Sequence, residues 1–115
     1  MSARVFIVES PRPTIDVTSA QRFGELVPIF GPGSRRASVF QPAEYAADVL
    51  AALADLQYDP KVDYFIMTGA LLPTAVALAA IAERHREVRL LMFSSHESVY
   101  VCRPYVVDRA VPAAR

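Results

Sequence analysis

Cysteine is all but missing: Cys102 is the single one in 115 residues. An internal disulfide and a multi-cysteine zinc site are both excluded. Cys102 falls in an apolar run that reads as a strand, which predicts a buried structural thiol rather than a nucleophile. Lysine is as scarce. Lys61 stands alone against eleven arginines, a usage that fits a GC-rich coding bias before it fits selection for anion recognition. An excess of either charge is lacking too, because twelve cations balance twelve anions. The chain therefore has no electrostatic footprint for duplex nucleic acid and no acidic surplus of the kind a DNA mimic needs. His85 and His96 are the only histidines, and no Asp/Glu/His cluster has ligand spacing, so neither a metal site nor a cofactor is expected. The first apolar run, Val5-Phe6-Ile7-Val8, is too short for a signal peptide.

Against these absences stands an apolar fraction of 53%, slightly high for a soluble chain and suited to a covered sheet or a homo-oligomeric seam. The length predicts one domain with its own core. Its centre is a run of nineteen uncharged residues, Tyr64 to Ala82. That length approaches a membrane span. Gly69 and Pro73 interrupt it, however, and charges crowd both flanks, so no membrane association is expected and the location is read as cytoplasmic. Residues 62–67 read instead as a buried strand, Thr68-Gly69 as a turn, and residues 72–86 as a helix.

The rest of the chain divides in the same way. Residues 4–8 form a first strand, and 9–22 a polar, proline-broken loop. Residues 23–30 read as a second strand, which Pro28 assigns to an edge or a bulge. A helix begins near Pro42, with Tyr45, Val49, Leu53 and Leu56 at helical spacing, and stops before Asp59-Pro60. The alanine-rich second helix is apolar nearly all round, which predicts cover on more than one side. Residues 88–94 and 99–103 read as strands joined by the loop 95–98. The expected fold is a small Rossmann-like α/β mixed sheet, in the order β-β-α-β-α-β-β, with a C-terminal antiparallel hairpin. It fills residues 1–107 as a single domain, followed by a flexible tail over 108–115.

Open α/β sheets bind ligands at the carboxyl ends of their strands. Thr68 and Gly69 stand there, where a helix N-terminus offers unpaired N–H groups and glycine permits close approach. Ser94, Ser95 and His96, with Glu97, follow the neighbouring strand to the same edge. Adjacent hairpin residues diverge, so Ser-His-Glu does not form a catalytic triad; His96 is a catalytic acid or base only if the protein is an enzyme. Arg35 and Arg36, in a Gly-Pro-Gly-Ser loop, can fork onto an anion. No G-x-G-x-x-G or phosphate loop is present. Tyr58 and Tyr100 carry polar handles suited to a pocket wall, while the strand aromatics, Phe93 among them, read as core.

The opening Arg4-Val5-Phe6-Ile7-Val8, then Phe23-Gly24-Glu25-Leu26-Val27, Asp63-Tyr64-Phe65-Ile66-Met67-Thr68-Gly69 and Val88-Arg89-Leu90-Leu91 resemble small α/β proteins of bacteriophages and other mobile elements. In that group the turn is commonly Gly-Asp-Pro and the later strand ends Lys-Trp-Asp. Here those places hold Gly69-Ala70-Leu71 and Met92-Phe93-Ser94, so no carboxylate role carries over. The resemblance implies a phage or mobile-element setting in the host cytoplasm. Three functions are compatible with the residues. The first is non-catalytic binding of a phosphate-bearing small molecule, for instance a nucleotide immune signal held away from a host effector. The second is a protein–protein interaction module that inhibits a host protein. The third is a small metal-independent phosphodiesterase or nuclease using His96.

Overall fold

Val5-Phe6-Ile7-Val8 is apolar at every position, the pattern of a parallel strand covered on both faces. All four side chains are buried, and the strand they build, β1 (Arg4–Glu9), lies inside the sheet. The computed structural model describes residues 2–10 and 16–106, so the tail expected over 108–115 lies outside the described residues. After β1 come a 3-10 helix (Thr18–Phe23), β2 (Glu25–Phe30), α1 (Pro42–Asp55), β3 (Tyr64–Ile66), α2 (Leu71–Arg84), β4 (Glu87–Ser94) and β5 (Val99–Val106). The expected succession of strands and long helices is present, with a short helix added where the sequence read as loop.

The sheet runs β2-β1-β3-β4-β5, with β5 antiparallel to β4 and the other pairings parallel. The C-terminal hairpin is as expected. The Rossmann strand order, 3-2-1-4-5, is not what forms; the order is 2-1-3-4-5, the other doubly wound arrangement. Its cause is the connection through α1, which carries the chain from β2 back over β1 to the far side. The loops leaving β1 and β3 thereby part from each other at the carboxyl ends of two adjacent strands.

Alternation along β1 sends Phe6 and Val8 to one face and Val5 and Ile7 to the other. The first face is covered by both long helices, with Tyr45, Val49 and Leu53 of α1 and Ala77 and Ile81 of α2 in one cluster. The α1 spacing read from the sequence is thus the buried stripe, and each large side chain contributes roughly 1.5–3 kcal/mol by leaving water. The second face has thinner cover, from Val17, Ala20 and Phe23 in and beside the 3-10 helix. Cys102 packs, half-buried, against this second cluster.

Three local features fix the frame. A Cβ on Gly24 would run into the Ala3 carbonyl, so only glycine lets β2 start beside β1. Pro28 lies on β2, an edge strand, where its missing N–H is tolerated. On the opposite edge, the Tyr100 N–H donates to Ser19 Oγ (3.1 Å) and the Tyr100 carbonyl accepts from Arg22 (3.0 Å), so both groups face away from β4. Period-two geometry turns Pro104 outward as well, and the edge is closed to further strand pairing at both positions.

α2 departs from expectation. It buries one stripe, Thr74, Ala77, Ala80 and Ile81, while Leu71, Ala75 and Ala79 are exposed. The two helices cover this face of the sheet, Val88 and Leu90 of β4 included, and among the described residues nothing covers the outer side of α2. No helix among the described residues is long and apolar enough to cross a membrane.

Candidate functional site

β3 ends at Ile66 and α2 begins at Leu71, so the chain must turn within four residues. Gly69 makes this possible by adopting φ +91°, a left-handed conformation that other residues rarely take, and the space its Cβ would fill is empty. Thr74 Oγ1 donates to the Thr68 carbonyl (3.2 Å) and holds the turn against the first turns of α2. No side chain among the described residues caps that helix N-terminus, which leaves the N–H groups of Leu71 and Leu72 for a ligand, Pro73 having none.

Beside this turn, on the thinly covered face, lies a cavity of about 670 Å³ lined by Asp16, Thr18, Ser19, Thr68, Phe93, Ser98 and Tyr100. The 3-10 helix brings Thr18 and Ser19, and the β4–β5 hairpin brings the last three. Ser98 is held at φ 58° by the tight hairpin, whose Ser98 N–H donates to the Ser94 carbonyl at 2.7 Å. Such a conformation costs a residue with a Cβ roughly 1–2 kcal/mol. Phe93 is 52% exposed, a large apolar ring left open in the wall. Tyr100 meets it edge-on, with centroids 5.4 Å apart. Hydrogen bonds from the Thr18 side chain and then its N–H (2.9 Å to Oδ1) hold the Asp16 carboxyl below the usual carboxylate range, so it is ionised at neutral pH. No Lys, Arg or His is among the described residues of this wall. Arg22, on the same 3-10 helix as Thr18 and Ser19, is engaged by the Tyr100 carbonyl and lies over Phe23.

Of the residues expected at a site, Thr68 lines the cavity and Gly69 adjoins it. Ser94 Oγ accepts the Glu97 N–H at 3.3 Å and belongs to the hairpin turn. Ser95 and His96 are exposed on that hairpin and do not line the cavity. Arg36 forks as expected of an anion clamp, but onto the chain's own Glu9, at 2.9 and 3.0 Å. Tyr45 donates to the same carboxylate at 2.8 Å; burial, then this bond, pushes its hydroxyl well above the usual tyrosine range. Arg35 is exposed in the same loop. Tyr100 lines the cavity as its polar handle suggested, whereas Phe93 is wall rather than core. Asp16, Thr18 and Ser19 fall within the stretch that reads as a proline-broken loop. Their signal was local: Asp-x-Thr is a side-chain-to-backbone turn that orders its own neighbourhood.

A cluster of cations lies at the other end of the sheet. Lys61, Arg84, His85 and Arg86 line a cleft of about 390 Å³ beside Glu87 and Val106. Arg84 and His85 also border a second hollow, about 430 Å³, walled by Leu50, Leu53 and Tyr58. No group of three or more His, Cys, Asp or Glu suited to a metal occurs among the described residues.

Residues 3–107 match the family model described as phage Pam3 gp32-like protein. No curated protein and no solved structure matches the chain significantly.

Proposed function

The chain belongs to the phage Pam3 gp32-like family, and from that premise we propose that it is an accessory protein that binds a phosphate-bearing small molecule in the host cytoplasm without transforming it. The observation that carries this reading is the hydroxyl-lined cavity at the carboxyl ends of β3 and β4, beside the uncapped N-terminus of α2. The cavity stands next to the point where the loops of β1 and β3 diverge, which is where doubly wound sheets bind ligands. A phosphate held there is met by backbone N–H groups and the positive end of the helix dipole rather than by a side-chain cation. A nucleotide immune signal sequestered from a host effector is one ligand of this class.

The test is a thermal-shift and native mass spectrometry screen of nucleotides and inorganic phosphate against wild type, Thr68→Val and Arg86→Ala. Thr68→Val is expected to weaken binding about tenfold, as loss of one hydrogen bond to a charged group does. Loss of binding in Arg86→Ala with Thr68→Val unaffected would move the ligand to the basic cleft. No shift with any member of the panel at large excess would sink the reading.

A second reading, an interaction module that inhibits a host protein, is favoured by the bare outer side of α2. Leu71 is 85% exposed and Leu72 about half that. A homodimer seam would use the same surface. Leu71→Glu is expected to abolish such a partner or dimer in size-exclusion chromatography while leaving small-molecule binding intact.

A further inference from the structure

The cavity beside Thr68 has the wrong charge to hold a phosphate inside it. Its wall carries one ionised carboxylate, Asp16, and no cation among the described residues. A phosphate placed among these groups is repelled by Asp16, so it belongs outside, toward the α2 N–H groups. What enters the cavity is the neutral part of the molecule. Ser19 and Ser98 supply hydroxyls that both donate and accept, and Thr18, whose hydroxyl donates to Asp16, can still accept. Ser19 Oγ already accepts the Tyr100 N–H and keeps its own proton to donate. An ionised carboxylate only accepts, and its two coplanar oxygens match two neighbouring hydroxyl donors. Asp16 is held in place for this by the Thr18 N–H. The open Phe93 ring, braced edge-on by Tyr100, offers a face for a base or for the C–H face of a sugar.

We infer that the cavity reads a vicinal diol of the kind a ribose carries, with Asp16 accepting from the two hydroxyls and Phe93 covering the ring beside them. This rests on the phosphate-ligand reading above and narrows it. A 3′,5′-cyclic oligonucleotide has its 3′ oxygen esterified and offers Asp16 one hydroxyl, so a free 2′,3′-diol is the preferred form. The diol can come from a nucleotide or from a sugar phosphate.

Isothermal titration of the full chain with four probes separates these cases: adenosine 5′-monophosphate, its 2′,3′-dideoxy analogue, ribose 5-phosphate and a 3′,5′-cyclic dinucleotide. The diol-bearing mononucleotide is expected to bind about 10- to 100-fold more tightly than the dideoxy analogue, the value of hydrogen bonds to a charged group. Asp16→Asn should bring the two within about twofold of each other on the same grounds. Phe93→Ala should weaken the nucleotide more than ribose 5-phosphate. Ribose 5-phosphate binding as tightly as the nucleotide supports the diol and assigns it to a sugar phosphate. Equal affinity for diol and dideoxy probes overturns the inference, and a Thr68→Val effect on both would leave the phosphate reading standing. Binding of none of the four overturns both. The probe comparison on the unaltered protein decides the matter even if Asp16→Asn does not fold.

Discussion

The two ends of the sheet are made from the same strands and treat polar groups in opposite ways. At the amino ends, Asp63 is 1% exposed and fully answered from within the chain. It accepts the N–H of Arg4 (3.1 Å) and of Asp59 (2.8 Å) and pairs with the Arg4 guanidinium at 3.1 Å. Arg4 then reaches the carbonyls of Leu56 and Gln57, while Arg89, two strands away, donates to the Lys61 carbonyl and to Tyr64 Oη. The connection from α1 to β3 is clamped from both neighbouring strands. At the carboxyl ends lie a cavity with a carboxylate and hydroxyls, an open aromatic ring and an uncapped helix. Charge alone therefore does not mark a site. What separates the two ends is that the carboxylate of one is buried and ion-paired, while that of the other is exposed and lines an open cavity.

The largest expected effect comes from opening the closed end. Asp63→Ala leaves the Arg4 guanidinium and two backbone N–H groups without their acceptor, and a broken pair of this kind costs about 3 kcal/mol. Urea denaturation should show the midpoint falling with the slope unchanged. Ligand binding at the far end should keep its affinity under conditions where the variant is folded. A cost below about 1 kcal/mol, the level of an exposed pair, would erase the distinction between the ends.

The closed end has one flaw, and it predicts a gain. Tyr58 Oη is buried and finds no hydrogen-bond partner among the described residues, although its ring packs edge-on against Phe6 and His85. Burial, and then the negative charges of Asp63 and Asp59, push its hydroxyl far above the usual tyrosine range. Tyr58→Phe keeps the ring contacts and removes the orphan group, which should stabilise the fold by about 1 kcal/mol. In a domain of this size that raises Tm by about 4 °C. A loss of stability instead would mean that a water reaches the hydroxyl and that this end is wet.

How far the sequence carried differs between the ends for physical reasons. Short-range patterns were sufficient for β1, the stripe Tyr45-Val49-Leu53, the edge position of Pro28 and the β4–β5 hairpin, because periodicity and proline act locally. Thr68-Gly69 was legible as a turn for the same reason. The strand order was not, since nothing local says that α1 passes back over β1. Asp63 read as an ordinary charged flank because its four hydrogen-bond donors lie in Arg4 and Asp59, and Arg4 is 59 positions away. Arg36 reads as an anion fork, but its anion, Glu9, is 27 residues distant. The cavity wall joins a 3-10 helix to a hairpin some 80 residues later, a meeting that only the folded sheet brings about.

The smallest effect tests the sign of the electrostatics at the closed end. Burial, and then the Arg84 charge, lower the pKa of His85, with Asp59 opposing them weakly. The unfolded chain therefore takes up the proton first as the pH falls through about 6.5, the ordinary histidine value. Stability contributed by neutral His85 is present above that pH and declines below it, until the pH drops under the folded value and the loss levels off. His85→Gln should flatten this part of the curve, so wild type and variant differ in how Tm changes between pH 7.5 and 5.5. The effect is modest because the imidazole remains partly exposed to solvent. Adding inorganic phosphate sharpens the test, since an anion in the cleft of Lys61, Arg84 and Arg86 would favour the protonated ring. If phosphate reverses the slope in wild type and not in His85→Gln, an anion sits beside His85. The amino end would then bind ligand as well, and the contrast between a closed end and an open one would no longer hold.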